Sequence, residues 1–149
     1  MRLNSFVIIM NQPDIEEIIL EIAQIIDSGE IVYLHHTTYE ILSYPAPDSS
    51  NDEYDYIRQE VYDVVDMDPD SYIKFEPLDS NEGHDMMDAF ADTIQNEQLK
   101  ELIKSALNGK RPFRAFREMI ASKDLEEDWY KFKDAYLSMI VRDKITDIS

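Results

Sequence analysis

The residues best suited to chemistry form one segment, Gly109-Lys110-Arg111-Pro112-Phe113-Arg114-Ala115-Phe116-Arg117. It holds four cations and no acid in a 149-residue chain whose formal net charge is -18. Lys110, Arg114 and Arg117 fall at i, i+4 and i+7, so on a helix they share one stripe, beside an apolar stripe of Phe113, Phe116 and Ile120. Cations at a helix start oppose the macrodipole, so a negative neighbour is expected to compensate. Arginine forks bind carboxylate or phosphate bidentately. Lys110, Arg111, Arg114 and Arg117 are therefore the candidate ligand-binding residues, for a small phosphorylated or carboxylated ligand. The competing reading is ion pairing with the chain's own surplus acids.

Other constellations are weaker. Asp66, Asp68 and Asp70 resemble the opening of a calcium loop, but the sixth and twelfth places hold Ser71 and Pro77 where Gly and Glu are needed, so a solvated turn is expected. His35 and His36 are adjacent, and strand alternation would direct them to opposite faces; with His84 the only other histidine and no cysteine, no metal site and no cofactor are expected. No Gly-rich phosphate loop or nucleophile elbow is present, and no catalytic residue is assigned. The expectation for enzymatic activity leans to none.

Charge is divided unevenly. Residues 1–79 hold 18 Asp and Glu against 3 Lys and Arg, a balance of -15; residues 80–149 hold 14 against 11, a balance of -3. Such a field repels nucleic acid and anionic membrane and attracts basic protein partners. Tyr44, Tyr54 and Tyr56 flank an acidic loop and form a candidate interaction surface. The absence of cysteine suits a reducing compartment, and no apolar run is long enough to span a bilayer or act as a signal segment, so a soluble, cytoplasmic protein is expected.

These residues need elements to hold them. Residues 14–27 carry Ile15, Ile18, Ile19, Ile22, Ala23 and Ile26 at helical spacing, with a stop at Ser28-Gly29. Segments 30–34 and 39–44 read as a hairpin around His35-His36-Thr37-Thr38, and 45–51 as a loop. A second helix is expected over 52–65 and a third strand over 72–76, closed by Pro77. Asp79 and Glu82 suggest a capping box opening a helix through Ile94. Leu99, Leu102, Ile103, Ala106 and Leu107 mark the next helix, ended by Asn108-Gly109. Pro112 opens another, and Asp124 is expected to cap a last one in which Trp129, Phe132 and Tyr136 face the core and Tyr130 lies outside. The whole reads as an α+β fold: a small three-stranded antiparallel sheet with amphipathic helices and a C-terminal helical cap. Residues 1–10 read as a leader or edge strand, 11–142 as a single domain and 143–149 as a tail.

The segments Phe75-Glu76-Pro77-Leu78-Asp79-Ser80, His84-Asp85-Met86-Met87-Asp88-Ala89-Phe90, Leu107-Asn108-Gly109-Lys110 with Phe113-Arg114-Ala115-Phe116-Arg117, and Glu127-Asp128-Trp129-Tyr130-Lys131-Phe132-Lys133-Asp134 together resemble a bacterial uncharacterised protein family of the UPF series, UPF0158-like. The resemblance runs from the first helix to about Arg142 and implies a shared fold. It carries no known activity and no catalytic residues. The acidic, Tyr-rich middle and the extra N-terminal residues depart from the family's usual form. The leading functional expectation is a non-catalytic protein-interaction module with an acidic surface, the alternative a binding module for a small anion at the cationic island.

Overall fold

The computed structural model describes residues 14–47 and 53–148. Residues 1–10, read above as leader or edge strand, and most of the acidic loop before the second helix lie outside them. The elements run α1 (Ile15–Asp27), β1 (Glu30–His35), β2 (Ile41–Pro45), α2 (Asp55–Asp66), a 3-10 turn (Pro69–Ser71), β3 (Tyr72–Phe75), α3 (Ser80–Asp92), α4 (Glu97–Leu107), α5 (Pro112–Ser122) and α6 (Glu126–Ile148). This is the expected α+β fold. The described residues divide into two compact units, one of those up to Pro77 together with those from Ile140, the other Leu78–Met139. Helix α6 supplies residues to both, and it continues through Ile148, so residues 143–148 are helical where a tail was expected.

In the first unit the sheet order is β2-β1-β3, all antiparallel. Alternation along β1 explains its two covered faces. Ile31 and Tyr33 stand opposite Tyr44 and Leu42 and pack with Ile57, Val61 and Val65 of α2. Val32 and Leu34 point the other way, opposite Phe75 and Ile73, and all four are buried. Helix α1, which packs on β1, buries Ile18, Ile19, Ile22, Ala23 and Ile26. Asp14 caps its start by accepting the Glu16 N–H, and Gly29 ends it at φ 96°, a backbone that only glycine adopts freely. Arg142 of α6 pairs with Glu16, and Lys144 donates to the Lys74 carbonyl and lies over the Phe75 ring.

The hairpin turn, illegible in the sequence, closes on Tyr39 at φ 62°, with the His35 N–H donating to the Glu40 carbonyl. That left-handed residue delays pairing, so β2 begins at Ile41 rather than 39. The His35 and His36 rings stack at 5.9 Å instead of diverging, because His36 lies beyond the strand end; His35 Nδ1 accepts the N–H groups of Thr37 and Thr38.

In the second unit α3 opens with the expected capping box: Asp79 accepts the Glu82 N–H and Glu82 accepts that of Asp79. Phe90 meets Phe116, Trp129 and Phe132 edge to face, and Phe116 meets Trp129 likewise, with Phe90–Trp129 at 5.3 Å and Phe116–Trp129 at 4.9 Å, while Trp129 and Phe132 stack. Tyr136 is half-buried beside Phe132, and Tyr130 is exposed. Lys104 of α4 bridges Asp88 and Asp92 of α3 at 3.5 and 2.5 Å, and its pKa is raised, first by the Asp92 hydrogen bond. His84 Nε2 meets the Leu107 carbonyl at 2.8 Å, occupying one of the acceptors left open where α4 ends.

Asp124 does not cap α6. It sits at φ 57°, one residue past the C-cap of α5, where its N–H donates to Ala121 and the Leu125 N–H donates to Ile120. This is a Schellman ending with aspartate where glycine is usual. The reason is that aspartate serves both roles: its short polar side chain favours N-caps and tolerates the left-handed region.

Candidate functional site

The cationic island occupies the turn between α4 and α5. Asn108 ends α4, Gly109 keeps a negative φ, and the chain reverses instead at Arg111, φ 52° and ψ 59°. Pro112 then starts α5 with no side-chain cap from Arg111. Burial of Phe116 and Ile120 fixes how α5 is turned, leaving Lys110, Arg111, Arg114 and Arg117 exposed. Lys110, Arg111 and Arg114 line an open groove of about 320 Å³ together with Ala115 and Glu118. Arg117 does not line it. Arg114 Nε donates to Glu118 at 3.1 Å, an exposed i, i+4 pair of the kind worth a few tenths of a kcal/mol. Among the described residues Lys110, Arg111 and Arg117 have no ion-pair partner. The expectation that the chain's own acids neutralise the island therefore holds for Arg114 alone.

The candidate tyrosine surface divides. Tyr44 is 1% exposed: it stands opposite Ile31 on the sheet face that α2 covers, so it is a core residue and not part of a surface. Its hydroxyl donates to that of Tyr62 at 3.3 Å, and burial, reinforced by this bond, raises its pKa far above the ordinary tyrosine value. Tyr62 is the partner that the sequence reading missed; its spacing, one residue after Val61, gave only a half-turned position on α2. Tyr54 and Tyr56 are exposed.

With Ile57, Val61 and Val65 turned to the sheet, the opposite side of α2 carries Tyr56, Glu60 and Asp63 at i, i+4 and i+7, and Met67 follows at i+11 just past the helix end. Tyr56 is 66% and Met67 86% exposed, and Val64 is exposed beside them. An aromatic ring and a thioether thus bracket two carboxylates on one solvent-facing stripe. Beyond it the Asp66 to Asp70 segment is the expected turn, with Asp68 accepting the Ser71 hydroxyl at 2.6 Å. Among the described residues no three His, Asp or Glu side chains gather as metal ligands, and no helix is long and apolar enough to cross a membrane.

The model of an uncharacterised protein family, UPF0158, matches residues 9–147. No curated protein and no solved structure matches the chain.

Proposed function

Because the chain belongs to the uncharacterised protein family UPF0158, a description that brings no chemistry with it, we propose from its own geometry a non-catalytic, cytoplasmic protein-interaction module that presents the outer stripe of α2 to a basic partner. The single observation behind this reading is the stripe itself. Tyr56 and Met67, large and apolar, stand in solvent around Glu60 and Asp63, in the half of the sequence with a charge balance of -15. Aromatic residues and methionine supply contact area at interface centres, and surrounding carboxylates steer and align a cationic partner. The absence of cysteine supports the reducing location.

The test is capture of cell proteins on the immobilised full chain, at low and high salt, beside a variant carrying Tyr56→Ala, Glu60→Lys, Asp63→Lys and Met67→Ala. All four side chains face outward, so the variant keeps its core. The reading expects basic proteins to be retained at low salt and lost with the variant. Identical capture by both chains would refute it.

A further inference from the structure

Thirteen Lys and Arg side chains lie among the described residues, and nine of them have a carboxylate, carbonyl or aromatic partner. The four without one are Lys110, Arg111, Arg117 and Lys123, so three of the four fall within one eight-residue segment. With 32 acids against 14 bases, a shortage of carboxylates cannot explain this. Position does: the turn after α4 holds cations where no acid of the second unit reaches them, Glu118 excepted.

The groove has a definite charge. Lys110, Arg111 and Arg114 contribute three positive charges and Glu118 one negative, a formal balance of +2 around about 320 Å³. Ala115 supplies the remaining wall. Arg111 holds its place at a backbone geometry, φ 52° and ψ 59°, that glycine would adopt more readily. We propose that this groove binds the dianion of a phosphate monoester, with Arg111 and Arg114 as bidentate donors and Lys110 as a point charge. A monocarboxylate would satisfy half of the available charge; a phosphate monoester at neutral pH carries close to two negative charges and three acceptor oxygens, which match two forks and an ammonium. Binding turns Arg114 from Glu118 to the ligand, at small cost because that pair is exposed.

This site is independent of the α2 stripe, and its experiment is separate. The full chain, labelled for amide NMR, is titrated with O-phosphoserine, with serine, with inorganic phosphate and with succinate. The expected result is saturable shifts of amides between 109 and 118 with O-phosphoserine and inorganic phosphate, and none with serine. Arg111→Gly is the decisive variant. It relieves the left-handed backbone, so its melting temperature should rise while its affinity for O-phosphoserine falls on the order of tenfold, the loss expected for one charged donor. Lys123→Ala, which removes an unpaired cation outside the groove, should bind as the parent does. Saturation by serine or succinate as tight as by O-phosphoserine, shifts scattered away from this turn, or an Arg111→Gly chain that binds unchanged would each overturn the proposal.

Discussion

The two units treat charge in opposite ways. Every described Lys and Arg of the sheet-containing unit is engaged: Arg58 with Asp55, Lys74 with Glu76, Arg142 with Glu16 and Lys144 with the Lys74 carbonyl. All four unengaged cations belong to the helical unit, which has the milder charge imbalance. Overall surplus of acid therefore does not decide which cations find partners. Local geometry does, since a carboxylate satisfies only what its own helix turn or neighbouring element brings within about 4 Å. Their interiors differ as well. The sheet unit buries a tyrosine hydroxyl that needs a partner, Tyr44 on Tyr62, whereas the helical unit is centred on Phe90, Phe116 and Trp129, whose rings meet edge to face.

That contrast can be broken hardest at the aromatic centre. Phe116 is fully buried, and Phe116→Ala should cost about 3 to 5 kcal/mol through lost burial and the cavity left behind. Chemical denaturation followed by circular dichroism measures it; a loss under about 1 kcal/mol would mean that the rings do not organise the helical unit. The polar interior of the sheet unit should be less sensitive. Tyr44→Phe keeps the ring and removes the hydroxyl, for an expected loss of about 0.5 to 1.5 kcal/mol.

Alkaline titration sharpens the same difference. Tyr44, Tyr72 and Lys74 of the sheet unit all hold their protons more tightly than their ordinary values, the tyrosines chiefly through burial and Lys74 chiefly through its hydrogen bond to Glu76. Groups whose folded pKa is raised contribute stability that is fully present below the unfolded value and declines as pH climbs beyond it. The contribution of these groups to stability should thus be level up to about pH 10 and fall above it. In Tyr44→Phe the fall should be shallower, and the most resistant tyrosinate absorbance should disappear. Lys104 of the helical unit, raised mainly by Asp92, shifts in the same direction.

Smaller effects test the turn residues. Asp124→Gly should stabilise by about 1 kcal/mol, because the left-handed position ending α5 then carries no side-chain penalty. Glu118→Gln, which removes the carboxylate beside Arg114, should change stability by only a few tenths of a kcal/mol. A large loss there would show that the cationic turn depends on its single internal acid.

Much of this organisation was legible in the residues. Ile18, Ile19, Ile22 and Ile26 announced α1 by period, Asp79 and Glu82 announced the start of α3 by reciprocal capping, and Trp129, Phe132 and Tyr136 announced the inner side of α6. What escaped depended on partners distant in the chain or on backbone conformations that several residue types share. Tyr44 looked like a surface residue because it adjoins a polar loop; its burial follows from pairing opposite Ile31 under α2, which no local pattern records. Residues 143–148 lack a clean apolar stripe, and Lys144 finds its contacts at Lys74 and Phe75, about seventy positions earlier. Tyr39, Arg111 and Asp124 take left-handed conformations that the sequence had no glycine to mark. For the candidate site, the spacing of Lys110, Arg114 and Arg117 suggested one helix side, but Lys110 lies before α5, beyond the left-handed Arg111, and Arg117 does not line the groove.

Trp129 is the chain's single tryptophan, and it lies 7% exposed within the aromatic centre of the helical unit, while seven of the nine tyrosines belong to the sheet unit. Indole emission is therefore an intrinsic, label-free optical gauge of one half of the molecule, and phenol emission is weighted toward the other. Followed side by side during unfolding, the two colours reveal whether the halves come apart together or in sequence.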